Sequence, residues 1–330
     1  AGGAWTYTMS GAHDEFVAGS TYTDSFTATT ADGTTRRVTV TITGSNDAAQ
    51  IGGTDTADLT ETDAAQSTGG TLTVSDVDSP ATFVVQSGVA GSNGYGTFSL
   101  DAGGAWTYTM SGAHDEFVAG STYTDSFTAS TADGTTRRVT VTITGSNDIA
   151  SLGSDAGFIT ETDLSQAIGG SLTLTDPDAV AASVVAQSDT LGTYGRFSID
   201  ASGTWTYATA GALDALAAGQ VVSDVFNVAT TDGGSATVTI TLTGSNDAPT
   251  VASPIAGQRA TQDSAFRFTL PAGSFADVDT GDSLGYSATG LPAWLSFDAA
   301  TRTFSGTPAN ADVGRVSITV TATDASSAQA

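Results

Sequence analysis

The chain has 330 residues and a formal net charge of −26, from 35 acidic and 9 basic side chains. That balance excludes a phosphate-neutralising surface, which needs clustered Lys and Arg, and the lack of any Cys excludes disulfides, thiolate nucleophiles and Cys-ligated metals. Of the acids 31 are Asp and 4 are Glu, every basic residue is Arg, and 58 residues are Thr, a composition that predicts strands joined by Asp-rich turns and argues against disorder.

In chain order, residues 1–48 recur at 102–149 with two changes, Ser130 for Thr29 and Ile149 for Ala48, and a diverged third copy runs from Ala201 to Ala248. Thr-Gly-Ser-Asn-Asp closes each copy at 43–47, 144–148 and 243–247. The phasing predicts four segments: the C-terminal half of a repeat at 1–47, full repeats at 48–148 and 149–247, and a different module at 248–330. Residues 1–47 start at the point matching Ala102, in mid-repeat, so the chain is read as a piece of a longer array.

Within each repeat the hydrophobic pattern has period two. Val139-Thr-Val-Thr-Ile-Thr144 puts Val139, Val141 and Ile143 on a buried face. Trp106-Thr-Tyr108 and Trp205-Thr-Tyr207 follow Asp-x-x-Gly turns at Asp101 and Asp200. Trp5, Trp106, Trp205 and Trp294 are expected in cores. His13 and His114, replaced by Leu213 in the third copy, are expected to be partly buried, and Arg36-Arg37 and Arg137-Arg138 to be solvated. Only Ala212–Ala217 suggests a helical turn. Seven or so short strands per repeat predict an all-β fold of tandem immunoglobulin/cadherin-like β-sandwiches in an extended array, each unit about 40 Å long. No run approaches the roughly 18 apolar residues of a membrane span, and the first residues lack the basic and apolar regions of a signal peptide.

The acids are phased with the repeats. Each linker carries Asn-Asp (Asn46-Asp47, Asn147-Asp148, Asn246-Asp247), and each following unit supplies Asp-x-Asp (Asp76 and Asp78, Asp176 and Asp178, Asp277 and Asp279). A late Asp follows in a turn (Asp133, Asp232, Asp324), and Glu61 with Asp63, or Glu161 with Asp163, lies early enough to reach the opposite end. A hard divalent cation takes six to eight oxygens, which short Asp side chains on adjacent loops can supply. The set therefore predicts Ca²⁺ between neighbouring repeats.

With the Thr-Gly-Ser-Asn-Asp linker, the Gly-Gly-x-Leu-x-x-x-Asp-x-Asp segment and the Gly-x-Trp-Thr-Tyr strand in place, residues 1–247 resemble VCBS-type cadherin-like repeats of large bacterial RTX adhesins. Residues 248–330 resemble the dystroglycan-type cadherin-like, or immunoglobulin-like, module through Phe275-Ala-Asp-Val-Asp279, Leu291-Pro-Ala-Trp-Leu-Ser-Phe-Asp298 and Phe304-Ser-Gly-Thr-Pro308. The module is expected to lack its last strand. The resemblance implies a calcium-stiffened stalk at a bacterial cell surface, exported by type I secretion, serving adhesion or biofilm attachment, with neighbouring repeats as partners and surface glycans or proteins of another cell as further ones. Neither nucleic acid nor membrane insertion is implied.

Two other readings stay open: a calcium-dependent glycan- or peptide-binding role for the last module, and an accessory region of a secreted hydrolase. Catalysis by the chain itself is not expected. A Ser-His-Asp system would have to use His13 or His114 and a Ser-Lys system has no Lys, while every Glu is a repeated element.

Overall fold

A computed structural model describes residues 3–178 and 182–330. Two compact units result, one of residues up to Ile149 plus the segment starting at Asp176, the other of Ala150–Thr175 and Ala182–Ala330. The fold is all-β; among the described residues the one helical element is a single 3₁₀ turn, Asn310–Asp312. Ala212–Ala217, expected as a helical turn, is a hydrogen-bonded turn in which Leu216 N–H donates to Leu213 O (2.9 Å) and Leu213 has φ 64°.

In the first unit Thr21–Thr29 and Thr35–Thr43 form an antiparallel hairpin. Eight strands between Gln50 and Thr144 follow. One sheet has the order Thr56–Thr60, Thr136–Thr144, Thr122–Ser130, its first pair parallel and its second antiparallel. The other has the order Gln50–Gly53, Ser67–Ser75, Ala105–Met110, Gly96–Leu100, Gln86–Ala90. The predicted alternation holds: Val139, Val141 and Ile143 are fully buried with Trp106, Tyr108 and Phe98, while the intervening threonines face outward. Trp106 also donates its indole N–H to Thr54 O (2.7 Å).

Trp5 departs from expectation and is 51% exposed. Among the described residues, strands such as Ser67–Ser75 and Gly96–Leu100, which flank Trp106, have no counterpart beside Trp5, whose ring meets Phe26 edge-on at 5.9 Å. Arg137 lies exposed at the surface as expected, paired with Asp55 at 2.5 Å.

The second unit repeats the plan, with Asp155–Thr160, Ser235–Thr243, Val221–Ala229 in one sheet and Ala167–Ser171, Thr204–Thr209, Gly195–Ile199, Gln187–Leu191 in the other. Its core includes Trp205, Tyr207, Phe197 and Ile240. After it, Phe266–Thr269, Thr303–Gly306 and Leu295–Asp298 form a sheet, and Gly285–Thr289 pairs with Thr319–Thr323. This last core is small, with only Leu270, Leu295 and Phe304 as its buried centre. It opens into a cleft of about 850 Å³ lined by Ile255, Phe266, Phe268, Trp294, Val313 and Val320. Trp294 is thus only half-buried, not a core residue as expected.

The cores of the two repeats each hold an interior carboxylate. Asp125 is fully buried and accepts from Tyr108 O–H (3.2 Å), Asn93 N–H (2.9 Å) and Gly96 N–H (3.1 Å). Asp224 does the same with Tyr207, Thr193 and Tyr194. Truncating Ile240 to Ala is expected to destabilise its sandwich by about 2–5 kcal/mol, whereas Phe158→Ala, on the exposed face of the same sheet, should stay within about 0.5 kcal/mol. Urea denaturation of the two variants checks the contrast.

Candidate metal centres

Each letter of the Thr-Gly-Ser-Asn-Asp signature has a structural task. Thr144 and Thr243 end their strands and accept the N–H of Glu61 and Glu161 (2.8 Å each). Gly145 passes so close to the 117–118 turn that a Cβ would lie 2.5 Å from Val118 O, and Gly244 packs equally tightly on Leu216 and Ala217. Ser146 donates its N–H (2.8 Å) and hydroxyl (2.9 Å) to Glu61 Oε2; Ser245 does so to Glu161 Oε2 (3.1 and 2.8 Å). Asn46, Asn147 and Asn246 each donate to the carbonyl of the following Asp (3.0, 3.2 and 2.9 Å). That Asp donates its N–H onward: Asp47 to Asp78 (3.3 Å), Asp148 to Asp178 (3.4 Å), Asp247 to Asp279 (3.1 Å).

The Asp-x-Asp turns are equally regular. Asp76, Asp176 and Asp277 each accept the N–H of the residue two places on, through Oδ1, at 3.0, 3.3 and 3.0 Å. Other carboxylate oxygens lack donors. Glu61 Oε1, Asp76 Oδ2, Asp78 Oδ1, Asp148 Oδ2, Glu161 Oε1, Asp178 Oδ1, Asp247 Oδ2, Asp277 Oδ2 and Asp279 Oδ1 are buried without a hydrogen-bond partner.

Three groups of carboxylates bring oxygens within 4.8 Å of one another: Glu61 with Asp115 and Asp148, Glu161 with Asp214 and Asp247, and Asp277 with Asp282 and Asp324. Two oxygens on one Ca²⁺ can lie at most about 5 Å apart, twice a bond of about 2.4 Å. Buried acceptors without donors, grouped at that spacing, fit a hard cation that supplies the missing positive charge. None of the four ion pairs among the described residues involves these carboxylates.

The crowding shows in their protonation. Burial, with Glu61 next, pushes Asp148 up to about 6, and burial with Glu161 does the same to Asp247, also to about 6. Asp47 and Asp279 rise chiefly through burial, and Asp178 through a hydrogen bond with Asp176.

Other expected ligands stand apart. Asp133 accepts from Thr131, Ala49 N–H (2.9 Å) and Thr135 N–H (3.1 Å) and hydroxyl (2.8 Å). Asp232 accepts from Thr230 and Ala150 N–H (2.6 Å). These donors, the Thr hydroxyl first, hold both carboxyls below their ordinary range. Asp63 and Asp163 are exposed and act on Asp148 and Asp247 through their charge. Asp324 accepts from Asn246 Nδ2 (2.9 Å), as Asp133 does from Asn46 Nδ2 (3.4 Å), but unlike Asp133 and Asp232 it joins a carboxylate group, the third.

Sequence reasoning missed Asp115, Asp214 and Asp282. The first two had a signal. In the third copy Ala210, Leu213 and Ala215 replace Ser111, His114 and Glu116, yet Asp214 stays in place of Asp115. The preceding residue is held in the left-handed region in every copy, at φ 59° for His13, 65° for His114 and 64° for Leu213. Asp282 has Ala81 and Ala181 at its repeat positions, so no periodicity marks it.

His114 has a triad-like setting, with Ser111 Oγ 3.1 Å from Nε2 and Glu116 Oε1 2.8 Å from Nδ1. The same Nε2 is 2.8 Å from Tyr95 O, which accepts but cannot donate. An Nε2–H pointed at that carbonyl leaves no lone pair to take the Ser111 proton, so the group is a structural clasp with His114 stacked on Phe117 at 4.8 Å.

Residues 46–145 match the family model described as "Bacterial cadherin-like domain", and residues 248–330 match the one described as "Putative Ig domain". Among curated proteins none matches. Among solved structures the chain is similar to a protocadherin gammaB7 EC3-6 cis-dimer structure, at 16% identity and TM-score 0.52, over 94% of this chain and 81% of that one. It is also similar to the protocadherin gammaB4 extracellular domain, at 17% identity and TM-score 0.51, over 94% of this chain and 54% of that one. The likeness is one of fold: tandem cadherin-type β-sandwiches.

The raised carboxyls set a pH dependence. Asp148 and Asp247 titrate near 6 when folded, against about 3.9 for an unfolded Asp. Their contribution to stability is full below about pH 4 and is lost as pH rises through about 6. In chelator, the melting temperature is therefore expected to rise as pH falls from about 7.5 to about 5; with Ca²⁺ present the trend should reverse, because protons then compete with the metal. Calorimetry at a series of pH values checks both arms.

Proposed function

We propose that this chain is a calcium-stiffened extender segment of a large bacterial surface adhesin, exported to the cell exterior and serving adhesion or biofilm attachment. The observation that carries the reading is the recurrence, about 100 residues apart, of buried carboxylate oxygens without donors at matched positions: Glu61 with Asp148, and Glu161 with Asp247. The matches of residues 46–145 and 248–330 to bacterial cadherin-like and Ig models support it. In this reading the segments 1–47, 48–148, 149–247 and 248–330 are successive modules. Asn46, Asp47, Asp76 and Asp78 act at the first linker, Asn147, Asp148, Asp176 and Asp178 at the second, and Asn246, Asp247, Asp277 and Asp279 at the third. Glu61 and Glu161 with Asp115 and Asp214 complete the second and third sets. Ca²⁺ would neutralise carboxylates that otherwise repel, so its binding free energy becomes folding free energy.

At about 100 times its dissociation constant, Ca²⁺ adds about 2.7 kcal/mol, a rise of roughly 10–20 °C in melting temperature for a 100-residue domain. Asp214→Asn should remove most of the rise in the repeat that carries it and leave the apo melt nearly unchanged. Small-angle scattering should show the maximum dimension falling in chelator. An unchanged melt and an unchanged dimension on Ca²⁺ removal would refute the reading.

The open cleft of the last module supports a second reading, in which residues 248–330 bind an extended apolar peptide. Trp294 Nε1 is buried there without an acceptor, and a bound peptide carbonyl would supply one. Titration with a Val-rich extended peptide should shift the tryptophan emission, and Trp294→Phe should abolish the shift; no shift in the wild-type chain excludes this reading.

A further inference from the structure

The two repeats treat one strand edge differently. In the first, the edge of Thr122–Ser130 is covered from Thr124 to Ser130. Val84 N–H donates to Ser130 O (2.8 Å), Gln86 Nε2 to Thr128 O (3.1 Å), Ser92 N–H to Ser126 O (2.9 Å) and Asn93 Nδ2 to Thr124 O (2.6 Å). The last two come from the loop between Gly91 and Gly96, which holds four residues.

In the second repeat the corresponding loop, between Gly192 and Gly195, holds only two. The outer half of the cover remains, with Val185 N–H on Ala229 O (2.8 Å) and Gln187 Nε2 on Asn227 O (2.8 Å). Among the described residues nothing donates to the edge-facing carbonyls of Val225, Ser223 or Val221, and their N–H groups are equally free. A strand edge left open in this way is a template for a further strand.

The face beside the open edge has changed too. Phe158 stands where the first repeat has Asp58, Val221 where it has Thr122, Val225 where it has Ser126, and Thr237 where it has Arg138. Phe158, Val221 and Val225 are 75%, 63% and 58% exposed. The rest of that face is mostly Thr, and none of its outward residues is charged. On a chain of net charge −26, this is a surface two copies can share without bringing carboxylates together.

We propose that Val221–Val225 is a self-pairing edge through which a second copy of this chain adds antiparallel to the sheet. A two-fold axis at Ser223 places Val221 of one copy opposite Val225 of the other and Ser223 opposite Ser223. All three positions face the edge, so the pairing forms three hydrogen-bonded pairs, about six bonds. The cross-strand partners are uncharged, and Val221 and Val225 are β-branched, which favours the ladder.

Analytical ultracentrifugation of the whole chain in Ca²⁺, from about 1 to about 200 µM, tests this. A reversible monomer–dimer equilibrium is expected. Ser223→Glu, which sets like charges across the axis, and Ser223→Pro, which removes an N–H that points away from its own sheet, should each weaken dimerisation by at least roughly 10-fold with the melting temperature little changed. Replacing Gly192–Gly195 by the Gly91–Gly96 sequence should do the same by covering the edge. A chain that stays monomeric throughout, a dimer that persists in all three variants, or association that captures only unrelated strands overturns the proposal.

Discussion

Buried carboxylate oxygens with no donors are the constraint around which the repeats are arranged. Glu61 and Glu161 are 0% and 2% exposed, and each has one oxygen clamped by a serine and the other left bare. An uncompensated carboxylate in such a place costs far more than any single packing contact returns. The fold creates the situation through strand direction. Thr56–Thr60 runs parallel to Thr136–Thr144, so Glu61 and the linker at 145–148 leave the sheet at the same end. The antiparallel neighbour Thr122–Ser130 begins at that end, which is why the turn carrying Asp115 arrives beside them. One parallel pair in an otherwise antiparallel sandwich thus collects three carboxylates from residues 61, 115 and 148.

Two kinds of aspartate result from this layout. Asp133, Asp232, Asp125 and Asp224 have their oxygens filled by protein donors and hold loops in place. Asp148, Asp247 and Asp279 lie against other carboxylates and are driven toward protonation. In Asp133 and Asp232 the donors favour ionisation, whereas in Asp148, Asp247 and Asp279 the surroundings oppose it, within one chain. Net charge does not separate them; donor count does. A cation acting on the second kind would leave the first untouched, which ties the proposed metal response to particular sites and not to the acidic composition as a whole.

Much of this was legible in the sequence because its signals are periodic. Val139, Val141 and Ile143 alternate with threonine and are buried as the period of two requires, and the repeated Asn-Asp and Asp-x-Asp pairs do meet across hydrogen bonds. The reading failed where position depends on backbone direction. Asp115 lies in a turn that looks like a solvated loop; its aim comes from the left-handed residue before it, and a His that exchanges with Leu does not advertise a positive φ. Asp133 and Asp232 show the opposite dependence. Their spacing matched that of ligands, but Thr131 and Thr230, two residues upstream, already satisfy them, and a Thr-x-Asp pattern cannot be told from an exposed turn without the fold. Trp5 shows a third limit, since the alternation that buries Trp106 needs neighbouring strands to bury anything at all.

The differences between copies separate what the fold needs from what it tolerates. From the first repeat to the second, Ser111, His114 and Glu116 give way together to Ala210, Leu213 and Ala215, and the turn keeps the same left-handed residue and the same Asp. The clasp around His114 is therefore one of two solutions to holding the turn, the other being apolar packing of Leu213 on the core. The loop after Gly192 is the contrary case. Shortening it by two residues leaves Asp224 with its Tyr207 bond and the core closed, so folding does not demand the longer form. What it alters is the exposed edge of Val221–Ala229, while the outward face beside that edge lacks the counterparts of Asp58 and Arg138. Changes that spare the interior and converge on one uncharged edge are what a surface acquires when it meets another strand.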